Sequence, residues 1–155
     1  MHPFDATQPP RLALLLGYAG LIPFISGAIG IWLTPPAWRT DVLTAQLHYA
    51  AVILAFMGAI HWGLAMARER QDNAARLQLG LSVLPALLGW LAISNGLPAL
   101  LALALLFSGF IGLYLADLRA VKLELAPRWY PALRKPLTIG VLSALLASWL
   151  GVLIR

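Results

Sequence analysis

The chain contains no cysteine among its 155 residues, and few of its residues are charged. The absence of cysteine excludes disulfide bonds, thiolate metal sites and cysteine nucleophiles, and it leaves the redox compartment open. Charged residues make up 11% of the chain and hydrophobic residues 61%, whereas a soluble domain carries about 25% and under 50%, respectively. A soluble core of this size cannot hide so much apolar surface, so lipid must surround most of the chain.

The motifs of several enzyme and transporter classes are also missing. The sequence shows no glycine-rich loop that would cradle a phosphate, no serine in a nucleophile elbow and no pair of carboxylates within an apolar segment. These absences weigh against a hydrolase or a proton-coupled transporter. The sequence therefore assigns no catalytic residue, and it leaves the cofactor unknown.

The two histidines outside the N-terminal tail lie on the same predicted helix. His48 and His61 are about 20 Å apart along its axis, so they cannot bind one metal ion. Because no other suitable ligands cluster in the sequence, no metal site is predicted. We interpret His48, together with Gln46 and Tyr49, as a cluster at the far membrane interface with a structural or capping role.

Long apolar segments predict an all-α fold, a polytopic bundle of five transmembrane helices in a single domain. A helix of ~20 apolar residues is long enough to cross a bilayer. The predicted spans cover residues 12–33, 47–67, 77–94, 97–116 and 136–154. Residues 34–45 and 117–135 are predicted to be loops. Pro23 lies in the middle of the first span, where we expect a kink because proline removes a backbone hydrogen bond.

The second predicted span carries a small residue at every fourth position. The members of this ridge are Ala51, Ala55, Ala59, Gly63 and Ala67. Helices in lipid pair where small side chains let their backbones approach closely. We therefore expect neighbouring helices to pack against this span along the ridge. The helical period places Trp62 on the side of the ridge and His61 on the opposite side.

The basic residues are distributed unevenly between the two ends of the predicted bundle. One end holds nine of the eleven lysines and arginines, and the other holds Arg39 and Arg155. Because basic residues are enriched in cytoplasmic loops, this bias predicts a cytoplasmic N-terminus and a C-terminus outside. The net charge of +5 then needs no nucleic acid to explain it. The expected partners are membrane lipids, with a membrane-protein partner or a second copy of the chain as further candidates.

Two ionisable residues lie at or inside the basic end of the predicted spans. An ionisable residue within a membrane is a functional hypothesis by default, and His61 is such a residue. The alternative is a neutral imidazole that is hydrogen-bonded across a helix interface. Asp117 closes the fourth predicted span, where the helix dipole disfavours a carboxylate. We therefore expect it to have a cationic partner, with Arg119, Arg128 and Arg134 as the candidates.

The segment 123–135 mixes aromatic and basic residues, which include Trp129, Tyr130 and Arg134. Rings at headgroup depth and cations on phosphate are typical of an interfacial anchor. The alternative is a lid over a small ligand that binds near His61.

Three blocks of sequence together resemble one known family. They are YAGLIPF at 18–24, Y-x-x-V-I-L-x-F-x-G-x-I-H-W-G at 49–63 and P-x-W-Y-x-x-L-R-x-x-L-T at 127–138. They resemble the uncharacterised membrane family that includes mitochondrial transmembrane protein sixty-nine. The resemblance implies a bacterial inner-membrane relative of a mitochondrial inner-membrane protein. It implies no catalytic residue, because it carries no established activity.

Three functions are considered from the sequence. The first is non-enzymatic help in assembling or organising a larger inner-membrane complex, and the small-residue ridges motivate it. The alternative is a binding protein for an amphipathic molecule (a quinone, a tetrapyrrole or a lipid) on the cytoplasmic side around His61. A small transporter is the third, although few polar residues are available to line a path. The candidate ligand-binding residues are Pro23, Tyr49, His61, Trp62, Asp117, Trp129, Tyr130 and Arg134.

Overall fold

The computed structural model describes residues 8–67, 73–94 and 96–154, and these residues form helices joined by short connections. In chain order the helices are α1 (Arg11–Ala19), α2 (Ile22–Leu33), α3 (Pro36–Met66), α4 (Asn73–Leu81), α5 (Leu84–Ala92), α6 (Ala99–Lys122) and α7 (Tyr130–Ile154). Five segments are long and apolar enough to span a membrane. They are the pair α1–α2, helix α3, the pair α4–α5, helix α6 and helix α7. The predicted all-α, multi-pass membrane fold is confirmed.

Prolines divide two of these five spans. After α1 the chain passes Gly20 before α2 begins at Ile22, one residue before Pro23. In the same way, α5 begins at Leu84, one residue before Pro85. Proline has no amide hydrogen, and its ring clashes with the carbonyl four residues earlier. Each helix therefore restarts with proline in its first turn, where the missing hydrogen is not needed.

Four helices extend well beyond the predicted spans. The helix α4 begins at Asn73, four residues before the predicted third span. Residues 36–45, predicted to lie in a loop, form the first turns of α3. The predicted loop 117–135 is also much shorter, because α6 continues to Lys122 and α7 begins at Tyr130. Hydropathy marks the part of a helix that lies in hydrocarbon, and polar residues can continue the same helix past that boundary.

Most of the other helices pack against α3. It packs against α2, α4, α5 and α6, while α7 packs against α1, α2 and α6. The expectation that neighbours pack on this span is confirmed. The largest fully buried apolar side chains are Phe24, Ile31, Leu54, Leu103, Leu106, Phe110 and Leu145.

Glycines allow α3 and the α4–α5 span to approach each other closely. A Cβ atom added at Gly89 would lie 2.9 Å from the carbonyl oxygen of Ala51. A Cβ atom added at Gly58 would lie 2.8 Å from the carbonyl oxygen of Ser82. Because both contacts are to backbone atoms, side chains at these two positions would force the helices apart.

The second half of the predicted ridge on α3 is exposed rather than packed against another helix of the described chain. Ala59 and Gly63 are exposed, and a Cβ atom at Gly63 would meet nothing within 4 Å. His61 is buried and Trp62 is exposed, so the two residues do face different sides. The helical period relates residues to one another, but it does not determine which side meets the bundle.

Gln46 holds three helices together at the end of the bundle away from His61. Its Nε2 donates to the carbonyl oxygen of Phe24 at 2.9 Å, and its Oε1 accepts from Ser148 Oγ at 2.6 Å. Gln46 is therefore buried and hydrogen-bonded, whereas His48 is exposed. The predicted cluster of Gln46, His48 and Tyr49 is thus divided between the core and the surface.

Candidate functional site

A chain of four buried polar side chains connects α4, α3, α6 and α7. Gln78 Nε2 lies 3.1 Å from His61 Nδ1, and His61 Nε2 lies 2.8 Å from Asp117 Oδ1. The second carboxylate oxygen, Asp117 Oδ2, lies 2.6 Å from Arg134 Nε. The four residues are 8% exposed or less, and Asp117 has no exposed surface. We refer to these four residues as the polar network.

The hydrogen bonds of the polar network fit one tautomer of His61. A carboxylate can only accept, and an amide nitrogen can only donate. His61 Nε2 therefore carries the hydrogen and donates to Asp117, while Nδ1 accepts from Gln78. The network contains one carboxylate and one guanidinium, whose charges balance each other.

The turn between α6 and α7 brings the ion pair together. The amide of Leu125 donates to the carbonyl of Ala120 at 2.6 Å, and Glu124 has a φ of 56°. This is the hydrogen-bond pattern of a Schellman motif, which ends a helix and reverses the chain. The reversal places α7 beside α6, so that Arg134 meets Asp117.

The structure identifies which of the expected cations pairs with Asp117. The partner is Arg134, which lies on the face of α7 that packs against α6. Arg119 follows Asp117 by two residues on one helix, and residues at that spacing do not face each other. Arg128 is exposed in the α6–α7 connection.

Gln78 is the network residue that the sequence analysis missed. It is the second residue of the predicted third span, and a polar residue at the end of a span is expected without any further role. The signal that could have identified Gln78 is its amide among apolar residues, because a buried amide needs a hydrogen-bond partner.

Several buried polar atoms of the site have no hydrogen-bond partner among the described residues. They are Gln78 Oε1, Arg134 Nη2, Tyr130 Oη and Thr138 Oγ1. Tyr130, Arg134 and Thr138 are spaced four residues apart, so they share one face of α7. Buried polar groups are normally satisfied by protein, water or ligand, so this region has hydrogen-bonding capacity to spare.

A cavity of about 340 Å³ lies between the α4–α5 span and α6, and His61 and Gln78 form part of its wall. Small-molecule sites in proteins have volumes of about 300–1,000 Å³. The α4–α5 side of the lining includes four leucines. The lining residues of α6 include Ser108, Gly109, Gly112, Ala116 and Ala120. The cavity exists because these small side chains leave the space between the helices unfilled.

Two glycines of α6 have different roles. A Cβ atom at Gly109 would lie 2.8 Å from Leu54 Cδ2, so Gly109 allows α6 to approach α3. A Cβ atom at Gly112 would meet no atom within 4 Å. Gly112 therefore borders open space, and a larger side chain at that position can enter the cavity without displacing the described residues nearby.

Trp129 and Tyr130 lie beside the polar network rather than in the described wall of the cavity. Their ring centroids are 5.9 Å apart and the ring planes meet at 74°. Tyr130 belongs to a small buried cluster with Ala120, Leu125 and Ala126. This packing anchors the start of α7, on which Arg134 is positioned.

Three other predicted site residues, Pro23, Tyr49 and Trp62, are not part of the polar network. Tyr49 Oη donates to the carbonyl oxygen of Gly20 at 3.1 Å, at the helix break next to Pro23. Tyr49 and His61 are about 18 Å apart along the axis of α3. Trp62 is 43% exposed, and its indole nitrogen lies 2.8 Å from a methionine sulfur one turn later.

The family model described as "Protein of unknown function (DUF3429)" matches residues 9–150. The chain belongs to this family. Transmembrane protein 69 of Xenopus tropicalis is 36% identical over 139 residues, which are 90% of this chain and 54% of that protein. Transmembrane protein 69 of Mus musculus is 30% identical over 125 residues, which are 81% of this chain and 50% of that protein. No solved structure matches.

The predicted resemblance is therefore confirmed, and the DUF3429 match includes every residue of the polar network. The chain spans about half the length of the curated relatives it matches. The DUF3429 description assigns no activity, so a function must be argued from the site itself.

Proposed function

We propose that this DUF3429 protein binds an amphipathic small molecule of the membrane in the cavity beside His61. The observation that carries the proposal is that the polar network ends at the wall of a cavity whose other walls are largely apolar. The apolar body of a ligand would contact the leucines of α4 and α5. Its polar head would lie at the end of the cavity that His61 and Gln78 border.

The energetic cost of the polar network supports this proposal. Replacing a buried ion pair by apolar residues of similar volume is often neutral or stabilising. Stability alone is therefore a weak reason to keep Asp117 and Arg134 inside a membrane protein. Ionisable residues in membrane spans usually serve a site, and this network meets a cavity of suitable size.

The polar network borders only one end of the cavity. Ser108, which lines the other end and donates to a carbonyl of its own helix, lies about 14 Å along α6 from Asp117. His61 and Gln78 lie at the level of Asp117, because His61 is bonded to it directly. This arrangement suits a molecule that lies along α6 with its head towards the basic end of the bundle, and it does not favour a hydrated transport path.

The test fills the cavity without altering the polar network. The variant Gly112→Leu places a side chain in open space at the cavity wall. The matched control is Gly63→Leu, which also adds a leucine where nothing lies within 4 Å, but on α3 and away from the cavity. Organic extracts of the purified proteins are compared by mass spectrometry.

We expect an amphiphile that is enriched in the wild-type extract to be depleted in Gly112→Leu and retained in Gly63→Leu. Thermal unfolding in detergent verifies that both variants are folded. Identical extracts from wild type and a folded Gly112→Leu protein would contradict binding in this cavity.

We propose assistance in membrane-complex assembly as a second candidate function. The exposed positions Ala59 and Gly63 on α3 favour it, because they have the small-residue spacing through which helices pair in lipid. For this function, Gly63→Leu is the test variant and Gly112→Leu is the control. Gly63→Leu should shift the protein to a smaller species on blue-native gels of mildly solubilised membranes, while Gly112→Leu should not. A single monomeric species for the wild type would count against this function.

We also propose a bacterial inner membrane as the location, with the N-terminus in the cytoplasm. The distribution of nine basic residues at one end and two at the other supports the orientation. The polar end of the cavity would then lie on the cytoplasmic side.

A further inference from the structure

We propose that the occupant of the cavity is a single-chain amphiphile with an anionic head group, and that Arg119 recognises this head. The inference rests on the proposed function and specifies its ligand. It names a residue that lies outside the polar network and that the sequence analysis considered only as a partner for Asp117.

Arg119 gives the cavity its charge. Among the described residues that line the cavity, it is the only one with a formal charge at neutral pH when His61 is neutral. The nearest acidic residue on its helix, Asp117, is already occupied by His61 and Arg134. Within the described ranges, Arg119 has no ion pair that would compensate its charge.

The polar network does not supply an opposing charge at this end of the cavity. Its carboxylate and its guanidinium neutralise each other, so the positive charge of Arg119 remains. Guanidinium groups bind carboxylates and phosphates through paired, charge-assisted hydrogen bonds. Charge complementarity therefore favours an acidic head over the neutral head of a quinone or an alcohol.

The size of the cavity indicates a single chain. Its volume of about 340 Å³ is at the small end of the range for ligand sites. The lining of α6 extends from Ser108 to Ala120, which is about 18 Å along the helix axis. A space of this length and volume accommodates one hydrocarbon chain.

The experiment compares three photoreactive probes that carry the same alkyl chain with a diazirine group. One is a fatty acid, one is an alkyl phosphate and one is the neutral fatty alcohol. Each is titrated onto the purified full chain in detergent, and the labelled peptides are identified by mass spectrometry. The carboxylate and phosphate probes show which anionic head is preferred.

We expect an anionic probe to label the cavity-lining helices at about tenfold lower concentration than the alcohol does. Arg119→Gln should remove this difference. Lys122→Gln is the matched control, because it removes a positive charge from the same end of α6 but from a residue outside the cavity wall. It should keep the difference.

The outcomes separate this inference from the proposed function. If all three probes label the cavity equally in the wild type, or if Arg119→Gln keeps the anionic preference, the inference is wrong while cavity binding stands. If Gly112→Leu reduces no probe's labelling of the cavity, both the inference and the proposed function are wrong.

Discussion

At the residue scale, Asp117 is the group around which the site is built. One of its carboxylate oxygens accepts from His61 and the other from Arg134, and no part of its side chain is exposed. A buried carboxylate is strongly disfavoured unless it is paired and hydrogen-bonded. The bonds to Asp117 therefore hold His61 and Arg134 in position, and the same two bonds stabilise the buried carboxylate of Asp117.

The first prediction concerns this ion pair. Arg134→Gln removes the cation and the three atoms beyond Nε but places an amide nitrogen where Nε stood, so a hydrogen bond to Asp117 can be kept while Asp117 loses its counter-charge. Breaking a buried pair in this way costs about 3–5 kcal/mol. We expect a correspondingly large loss of stability for Arg134→Gln in chemical or thermal unfolding in detergent.

The control for the ion pair is the double variant Asp117→Asn with Arg134→Gln. It contains no buried charge at these two positions. The oxygen of the introduced asparagine can still accept from His61, and its NH2 group can donate to the carbonyl oxygen of the introduced glutamine. We expect most of the lost stability to return. A double variant as unstable as Arg134→Gln alone would show that shape rather than charge explains the effect.

At the scale of helices, the contact between α3 and α5 depends on backbone proximity. The space that a side chain at Gly89 would need is occupied by the carbonyl of Ala51. A flexible side chain could move aside, but a helix backbone moves only together with its helix. This contact fixes the α4–α5 span against α3 and thereby holds Gln78 within reach of His61.

The second prediction compares two Gly→Ala changes in the same span. Gly89→Ala should destabilise the protein by about 1–3 kcal/mol, because it forces the helices apart. Gly80→Ala introduces the same methyl group where nothing lies within 4 Å. It should stabilise by about 0.5–1 kcal/mol, since alanine favours a helix over glycine. Effects of the same sign and size in thermal unfolding would contradict the close contact.

At the scale of the whole molecule, lipid is the solvent for most of the surface. Large apolar side chains such as Val52, Phe56 and Leu101 are more than half exposed. In water this surface would aggregate, whereas in a bilayer it contacts hydrocarbon. The exposed apolar side chains thus agree with the composition of the chain, which also indicates lipid around most of the surface.

The third prediction tests the orientation in the membrane. Because the chain has no native cysteine, single cysteines can be introduced without removing others. Arg128→Cys, in the α6–α7 connection, should react with an impermeant thiol reagent only from the cytoplasmic side. Trp38→Cys, at the start of α3, should react only from the opposite side.

A lipid-facing position provides the control for this labelling. Val52→Cys should remain unlabelled until detergent is added, because hydrocarbon excludes the charged reagent. If Arg128→Cys and Trp38→Cys react from the same side, the five-span topology is wrong.

The sequence predicted the parts of this protein that depend on composition and on local periodicity. Five apolar segments indicated five spans because the length of hydrocarbon to be crossed is constant. The carboxylate of Asp117 predicted a cationic partner, although Asp117 lies inside α6 rather than at its end, and His61 within a span is a functional hypothesis. None of these inferences needed to know which helix lies beside which.

Only the tertiary structure decided the features that depend on helix neighbours. It chose Arg134 over Arg119 as the partner of Asp117, added Gln78 to His61, and placed Tyr49 at a separate structural contact. The cavity arises where small residues of α6 face leucines of another span. Its presence depends on the distance between two helices, which is set by packing among residues far apart in the chain.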